Sequence, residues 1–547
     1  MILRARRKLK AIFLWLVTLR FAVLHYTSEK SLPPTSASQT DPSRLAKAIL
    51  HTLKQALAQG DTWLFRADVL HRLQSQSVTT EELSATLQQL HEDGLIYCAE
   101  HSVSLPQCAE AEGLIAATLP HIGCGLRPLP SRLLTKWKQP ESLQLSEEQA
   151  AAIQLLAVAP VAILTGDPGT GKTSTIKALA DLFRQARYEV YLTAPTGRAA
   201  SRLAEATGHE AQTLHRFLRG RKRQSASLRD LFTGRKEIIV VDEASMLDVF
   251  LAERLVSVCT PRTRLILVGD PHQLPPVGAG QVLRDLLASG VLPVAGLTTC
   301  FRQAEQSRII AAAQAIKQGR VPELAAPGQV KADCYFIEAD SATEIQQLVV
   351  KAVTSSLPVR CGADAYSDIQ VLTPMRNGLL GTLHLNHAIR QALQPSFVAA
   401  KTKHSFNLKD RVLNIRNNYA LGVFNGECGS VLDIGEETVC VRYGAREVKY
   451  DKAALDDLTH GFALTIHRAQ GSEYPFVVIP LHESQSVMLT RELLYTALTR
   501  GRRMAVLIGS RQALARAIAN DHSSQRCTRL VELLTAAFAR TANKTAA

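Results

Sequence analysis

No two of the ten cysteines in this 547-residue chain are spaced C-x-x-C, so a zinc-ribbon signature is missing. They are scattered from Cys98 to Cys527 in a chain with no secretory pattern, which fits a reducing cytoplasm better than a disulfide framework. The apolar stretch near the start, AIFLWLV, is far short of the about 20 residues that cross a bilayer. It follows the basic run MILRARRKLK, is soon broken by Arg20, and no small-residue cleavage site follows. Residues 1–43 therefore read as a basic, apolar extension and linker, non-functional or mis-started. A membrane-surface anchor is the alternative, and stable membrane association is not expected. Internal repeats and long low-complexity tracts are also absent. Acidic residues are in deficit: 49 Asp and Glu against 63 Lys and Arg, a formal net charge of +14. That points to an anionic partner, nucleic acid first, unless the charge is merely diffuse. A hydrophobic share of 46% with 20% charged residues describes a soluble globular chain, and its length suggests three to five domains.

Residues 28–43 have a linker composition. From 44 to 138 the pattern is helical: SRLAKAILHTLKQALAQG ends near Gly60, and TTEELSATLQQLHEDG carries Thr79 and Glu82 at capping-box spacing. LIYCAEHSVSLP then alternates like a hairpin, so a winged-helix-like module is expected, whose plainest role is packing. From about 140, short apolar runs alternate with helical ones: VAILTG (161–166), VYLTAP (190–195), EIIVVDE (237–243) and RLILVGD (264–270). This is the pattern of a buried parallel sheet with function at the strand C-termini. A second set follows in IQVLTP (369–374), FVVIPL (476–481) and AVLIGS (505–510). Between them, residues rich in Asn-Gly and Gly turns predict a small inserted β-barrel over 405–455. The expected division is 139–290 for one α/β lobe, with a basic insert at about 218–236, and 291–404 with 456–547 for the other.

Gly166, Asp167, Pro168, Gly169, Thr170, Gly171, Lys172 and Thr173 fit the phosphate-loop pattern G-x-x-x-x-G-K-[ST], with an apolar strand before and a helical run from Ser174 after. Backbone N–H groups at such a helix start cradle phosphates. Lys172 would reach the β and γ phosphates, and Thr173 would ligate Mg²⁺. Asp242 follows four apolar residues and sits where a strand end can share that Mg²⁺; Glu243 can act as general base toward water. Gln149 forms a capping box with Ser146 by spacing, or reads the adenine edge with its amide.

The ordered set GDPGTGKT, TAPTGRAA, QTLHRFL, VVDEASM, LVGDPHQLPPVGAG, CFRQ, LTPMR, NNYALGVFNGECG, LTIHRAQGSE and LLYTALTRGRR resembles the superfamily 1 helicases of the RecD-like branch. The likeness is greater to the free-standing RecD-like helicase than to the subunit of the RecBCD nuclease. It implies an α/β fold: two RecA-like P-loop motor domains, a small β-barrel insert and the N-terminal winged-helix-like domain. It also implies ATP-dependent translocation on single-stranded DNA, 5′ to 3′, with duplex unwinding in repair or recombination. The motor subunit of a RecBCD-like exonuclease complex is the alternative. ATP and Mg²⁺ are the implied cofactors, and single-stranded and duplex DNA, with other repair proteins, the implied partners. On this resemblance Gln149 becomes the adenine reader and Gln273 senses the γ-phosphate. Arg302 and Arg500 act as arginine fingers, and Glu473 lies near the ribose. Pro195, Thr196, Arg198, Thr213, His215, Thr465 and His467 match strand-contacting elements. The late motif departs from the family's His-Lys-Ser-Gln-Gly-Ser-Glu: Arg468 and Ala469 replace lysine and serine. The helix-hairpin-helix tandem of longer members is not evident, and no nuclease carboxylate cluster accompanies the motor.

Overall fold

The computed structural model describes the chain except residues 1–43, 74–77, 131–144, 223–234, 300–306, 327, 329–331, 395–405, 419, 522–524 and 547. The N-terminal extension, most of the basic insert and Arg302 therefore lie outside the described residues.

Helix Arg44–Gln59, strand β1 (Trp63–Phe65), helices Arg66–Arg72 and Thr80–Glu92, and a hairpin of β2 (Tyr97–Cys98) and β3 (Ser102–Ser104) form the first unit. The capping box is present: the Glu82 N–H donates to Thr79 Oγ1 at 3.2 Å, and the Thr79 N–H to Glu82 Oε2 at 3.0 Å. Strand β1 carries no sequence signal; three residues are too few to show a period. It pairs antiparallel with β3, giving the order β1-β3-β2 of a winged-helix-like unit. Helix Thr80–Glu92 buries Leu83, Leu87 and Leu90 and exposes Glu81, Glu82 and Glu92. That acidic face repels phosphate and favours the packing role. Buried Glu112, on helix Pro106–Thr118, accepts from Thr62 Oγ1 at 2.6 Å and Trp63 Nε1 at 2.9 Å. It joins the unit to the helix that packs on the next sheet.

That sheet has six strands: β4 (Val161–Gly166), β5 (Glu189–Ala194), β6 (Ala211–Thr213), β7 (Glu237–Val241), β8 (Thr263–Gly269) and β9 (Val294–Leu297). Their order is β6-β5-β7-β8-β4-β9, every pair parallel. β7 and β8 are buried along their whole length, which is why they read as continuous apolar runs rather than alternating ones. The second parallel sheet opens with β10 (Cys334–Glu338) and β11 (Ile369–Thr373). The chain then leaves for a barrel of β12 (Arg411–Asn414), β13 (Cys428–Ile434), β14 (Thr438–Tyr443), β15 (Arg446–Asp451) and β16 (Leu458–His460). It returns as β17 (Ala463–Thr465), β18 (Tyr474–Leu481) and β19 (Gly501–Gly509), giving the order β10-β19-β18-β11-β17. The insert is antiparallel, ordered β15-β14-β13-β12-β16, around a core that includes Val412, Val431, Val441 and Tyr450. Its last strand, β16, lies past the expected boundary at 455. Among the described residues no helix is long and apolar enough to cross a membrane, and the nine cysteines there are free.

The chain end departs from expectation. The strand pattern assigns all of 456–547 to the second lobe, but helix Leu530–Ala546 packs Leu530 and Leu534 into the first lobe's core beside Ile115, Leu251 and Leu286. Its lead-in is fastened down. Arg526 donates to the carbonyls of Pro276, Gly278 and Gly280 at 2.7–2.8 Å, and the Cys527 carbonyl accepts from the Thr62 and Trp63 amides. Continuity in sequence suggests the second lobe; the apolar face of the helix finds its partner elsewhere.

Under this helix, burial, with help from the Glu112 carboxylate, pushes the Asp285 carboxyl from 3.8 up to about 7. One of its oxygens is buried without a partner. The folded pKa lies above the unfolded one, so the folded chain keeps a proton that the unfolded chain has released. Stability is therefore lost as pH rises from about 4 to 7, and the full loss, of order 4 kcal/mol at most, persists above that. Asp285→Asn is expected to raise the melting temperature at pH 8, with the gain shrinking as pH falls toward 5. A gain independent of pH would mean that the carboxyl does not titrate as described.

Candidate functional site

The phosphate loop runs from the end of β4 into helix Lys172–Gln185. Gly169 and Gly171 hold φ of +86° and +81°, left-handed values that a side chain would strain, and these let the backbone curl over a bound anion. Lys172 Nζ donates inward to the Gly166 and Asp167 carbonyls at 2.7 and 3.1 Å, poised within the loop. The Thr170 hydroxyl donates to the Asp167 carbonyl at 2.8 Å, and Ser174 is exposed on the first turn of the helix.

A cleft of about 310 Å³ opens beside the loop. The first lobe lines it with Pro168, Gly169, Gly171, Lys172, Thr173, Arg202, Asp242, Glu243 and Gln273, and the second with Gly471, Glu473, Arg500 and Arg502. Burial and the adjacent Glu243 carboxylate push Asp242 up to about 6. Glu243 itself sits at φ +52°, a conformation costing a non-glycine residue about 1–2 kcal/mol, of the kind found where a catalytic side chain must be aimed. The phosphate loop, Asp242 and Gln273 follow the C-termini of β4, β7 and β8, while Arg202 comes from helix Gly197–Thr207. The second lobe works from the other edge: Glu473 and Arg500 immediately precede β18 and β19. Lobes facing each other across a cleft oppose C-terminal to N-terminal edges, which strand patterning alone does not reveal.

Several cleft contacts carry no sequence signal. Glu473 is bracketed by Arg202 of the first lobe and Arg502 of the second, each at 2.7 Å. The Asp167 carboxylate meets Lys317 of the second lobe at 3.0 Å and lies 3.5 Å from the Tyr495 hydroxyl. Arg500 is 2% exposed; its Nε donates to the Thr496 carbonyl at 3.2 Å and its Nη1 to that of Ser472 at 3.1 Å. Gln149 forms the box that its spacing favours: the Ser146 hydroxyl accepts from its N–H at 3.2 Å, and its Oε1 from the Ser146 N–H at 3.0 Å. Its Nε2 reaches the Thr170 and Gly171 carbonyls at 3.4 Å. Both ends of the amide are thus engaged with protein in this structure.

The expected strand contacts divide. Pro195 and Thr196 follow β5, Thr213 ends β6 and Thr465 ends β17. All three threonine hydroxyls accept from backbone amides one turn on, those of Ala199, Arg216 and Arg468. A hydroxyl that accepts this way keeps its own proton to donate to a phosphate, so capping and strand contact are compatible. His215 is exposed. His467 is half-buried, and burial depresses its pKa, favouring the neutral ring. Arg198 differs. Its guanidinium donates to the Tyr474 hydroxyl at 2.7 Å, lies over that ring at 4.9 Å and approaches Cys428 Sγ of the barrel at 3.6 Å. It bridges the first lobe to Tyr474 of the second and to the barrel, where Phe424 packs against neighbouring Gly197 so closely that an added Cβ would stand 2.9 Å away.

Three protein-family profiles match the chain: an AAA domain over 144–333, a UvrD-like helicase C-terminal domain over 460–508, and the SH3 domain of ATP-dependent RecD-like DNA helicases over 385–443. The solved structure of Pif1 helicase from Bacteroides in complex with ADP-AlF3 and ssDNA is 19% identical, with a TM-score of 0.44 over 66% of this chain and 92% of that one. The RecBCD enzyme subunit RecD of Mycolicibacterium smegmatis is 34% identical over 413 residues, covering 68% of this chain and 72% of the subunit. The ATP-dependent RecD2 DNA helicase of Deinococcus radiodurans is 35% identical over 528 residues, 93% of this chain and 71% of that protein. A likeness sustained over so much of both sequences, through both lobes and the barrel, makes this chain a member of the RecD-like DNA helicase family.

Proposed function

We propose that the chain couples ATP hydrolysis to 5′-to-3′ movement along single-stranded DNA and so unwinds duplexes. The observation that carries this is the composite cleft. Lys172, Asp242, Glu243 and Gln273 of one lobe meet Glu473, Arg500 and Arg502 of the other in a single cavity. A triphosphate there would draw Lys172 from the loop carbonyls onto its phosphate oxygens. Asp242 and Thr173 offer the hard oxygen donors that suit Mg²⁺, which takes one or two protein ligands and completes its shell with phosphates and water. Mg²⁺ would neutralise charge on the β and γ phosphates. Glu243 takes a proton from the attacking water. Arg500 offsets charge on the transferred group only while the lobes are together. Hydrolysis removes what holds the cleft shut, so the lobes part.

The strand lies across Pro195, Thr196, Thr213 and His215 of the first lobe and Thr465 and His467 of the second. Hydroxyls and a neutral imidazole there position phosphates without reading sequence. Arg198 keeps the barrel on the first lobe instead of touching DNA, and Gln149 steadies the phosphate loop. We assign residues 44–130 to a packing module, 145–299 to the first motor lobe and 307–521 to the second with its barrel. The tail 525–546 is a strap over the first lobe. The site of action is the cytoplasm.

With the isolated chain, single-stranded DNA should raise ATP hydrolysis about tenfold or more, the effect of about 1.4 kcal/mol or more off the barrier. Duplexes with a 5′ single-stranded tail should be separated, and those with a 3′ tail left intact. A hydrolysis rate indifferent to DNA removes the motor reading. Unwinding that appears only with added RecB-like and RecC-like subunits favours the nuclease-complex alternative.

A further inference from the structure

Gln273 carries an unsatisfied feature of the cleft. It is 4% exposed, yet its Oε1 is buried with no hydrogen-bond partner. The other end of the amide is fixed: Nε2 donates to Asp270 Oδ2 at 3.3 Å. A carboxylate only accepts, so it selects the NH₂ end of the amide and leaves Oε1 without a partner in a residue that lines the cleft. Phosphate oxygens also only accept. The group that satisfies Oε1 is therefore a proton donor, and the attacking water is the donor the reaction brings.

What fixes Asp270 comes from the opposite lobe. Tyr495, on helix Arg491–Leu498, is 2% exposed and donates its hydroxyl to the same Asp270 Oδ2 at 2.9 Å. Asp270 Oδ1 is already taken by the His272 amide at 2.9 Å. Two more second-lobe groups grip the backbone just after Gln273: Thr496 Oγ1 accepts from the Leu274 N–H at 2.9 Å, and Gln470 Nε2 donates to the Leu274 carbonyl at 3.3 Å. Lys317 meets Asp167, the other carboxylate within reach of the Tyr495 hydroxyl. Arg500 leaves the same helical segment for the cleft, tied to the Thr496 carbonyl.

We propose that Tyr495, acting through Asp270, is a positioning residue that orients Gln273 toward the attacking water, so that the amide is set only when the second lobe is docked. The inference rests on the reading of Gln273 as part of the hydrolytic site. It supplies a link from lobe closure to water orientation separate from Arg500: one segment carries the charge-offsetting arginine and the tyrosine that sets the water-facing amide. Both arrive together and leave together.

The test is a double-mutant cycle on the full chain with single-stranded DNA present. Tyr495→Phe removes one hydroxyl and should lower kcat about tenfold, the scale of losing one hydrogen bond to a charged group. The KM for ATP should stay within about twofold. In a Gln273→Ala background the same substitution should change kcat less than about twofold, since its target is gone. Thr496→Val, which breaks the grip on Leu274, should repeat the pattern. Melting temperature and binding of a fluorescent ATP analogue, followed in parallel, show whether a loss is one of folding. Equal losses from Tyr495→Phe in both backgrounds overturn the proposal. So does a normal kcat in Tyr495→Phe when Gln273→Ala alone is slow; that result leaves the site reading standing. Normal turnover by Gln273→Ala removes the site reading, and the inference with it.

Discussion

Lys172→Ala will lower ATP turnover by roughly a thousandfold or more while the chain still binds single-stranded DNA. Lys172 is the one cation built into the loop itself, and its ammonium is already held inward by the Gly166 and Asp167 carbonyls at 2.7 and 3.1 Å. It needs little reorganisation to reach a phosphate. A unit charge 4 Å from another at the dielectric of a protein surface is worth about 4 kcal/mol, and that much lost from the transition state is about a thousandfold in rate. The substitution also leaves the negative loop carbonyls without a counter-charge, which repels the polyanion further. The expected strand contacts, from Pro195 to His215 and at Thr465 and His467, lie on other strand ends, so DNA affinity should change little. Phosphate release and fluorescence anisotropy with a labelled oligonucleotide measure the two effects. Turnover within about tenfold of the unaltered chain would place hydrolysis elsewhere.

The parts of this site that are legible in the sequence are those dictated by local rules. A loop that must turn at positive φ needs glycine, and a strand buried on both faces needs an unbroken apolar run. Hence Gly169, Gly171, β4, β7 and β8 can be placed from residue pattern alone. A capping box is a three-residue event, so Ser146 with Gln149 and Thr79 with Glu82 can be read as well. What escapes depends on contacts between distant segments. Arg202, Lys317 and Tyr495 look like ordinary helix residues until the opposite lobe supplies Glu473, Asp167 and Asp270. Arg198 illustrates the converse. Its motif suggests a strand contact, but the barrel and Tyr474 occupy its guanidinium. The tail escapes for the same reason. Helix Leu530–Ala546 is amphipathic on its own terms, and nothing within it names the first lobe as its partner. Strand β1 is too short to carry a period, and it exists because β3 is there to pair with it.

The same logic gives the second large effect, at Arg500. Unlike Lys172, this residue does not belong to the phosphate loop, and its contribution depends on two lobes being in register. Replacing it with alanine should lower kcat about a thousandfold, in the range seen when an arginine finger is removed, while ATP affinity changes less than about tenfold. The asymmetry follows from geometry. Arg500 is anchored from behind: Nε to the Thr496 carbonyl and Nη1 to the Ser472 carbonyl, both on its own lobe. Those bonds fix the plane of the guanidinium whether or not a nucleotide is bound, so little of its interaction is used in ground-state binding. The remaining N–H groups serve charge that develops as the γ-phosphoryl departs. Arg500→Lys should fail to restore the rate. An ammonium carries the charge but has three donors on a flexible stem, and it cannot hold two carbonyls behind it and a phosphoryl oxygen in front. Single-turnover hydrolysis beside equilibrium nucleotide binding separates the two quantities. Equal losses in rate and affinity, or full rescue by lysine, would show that Arg500 only attracts the nucleotide and does not act on the transition state.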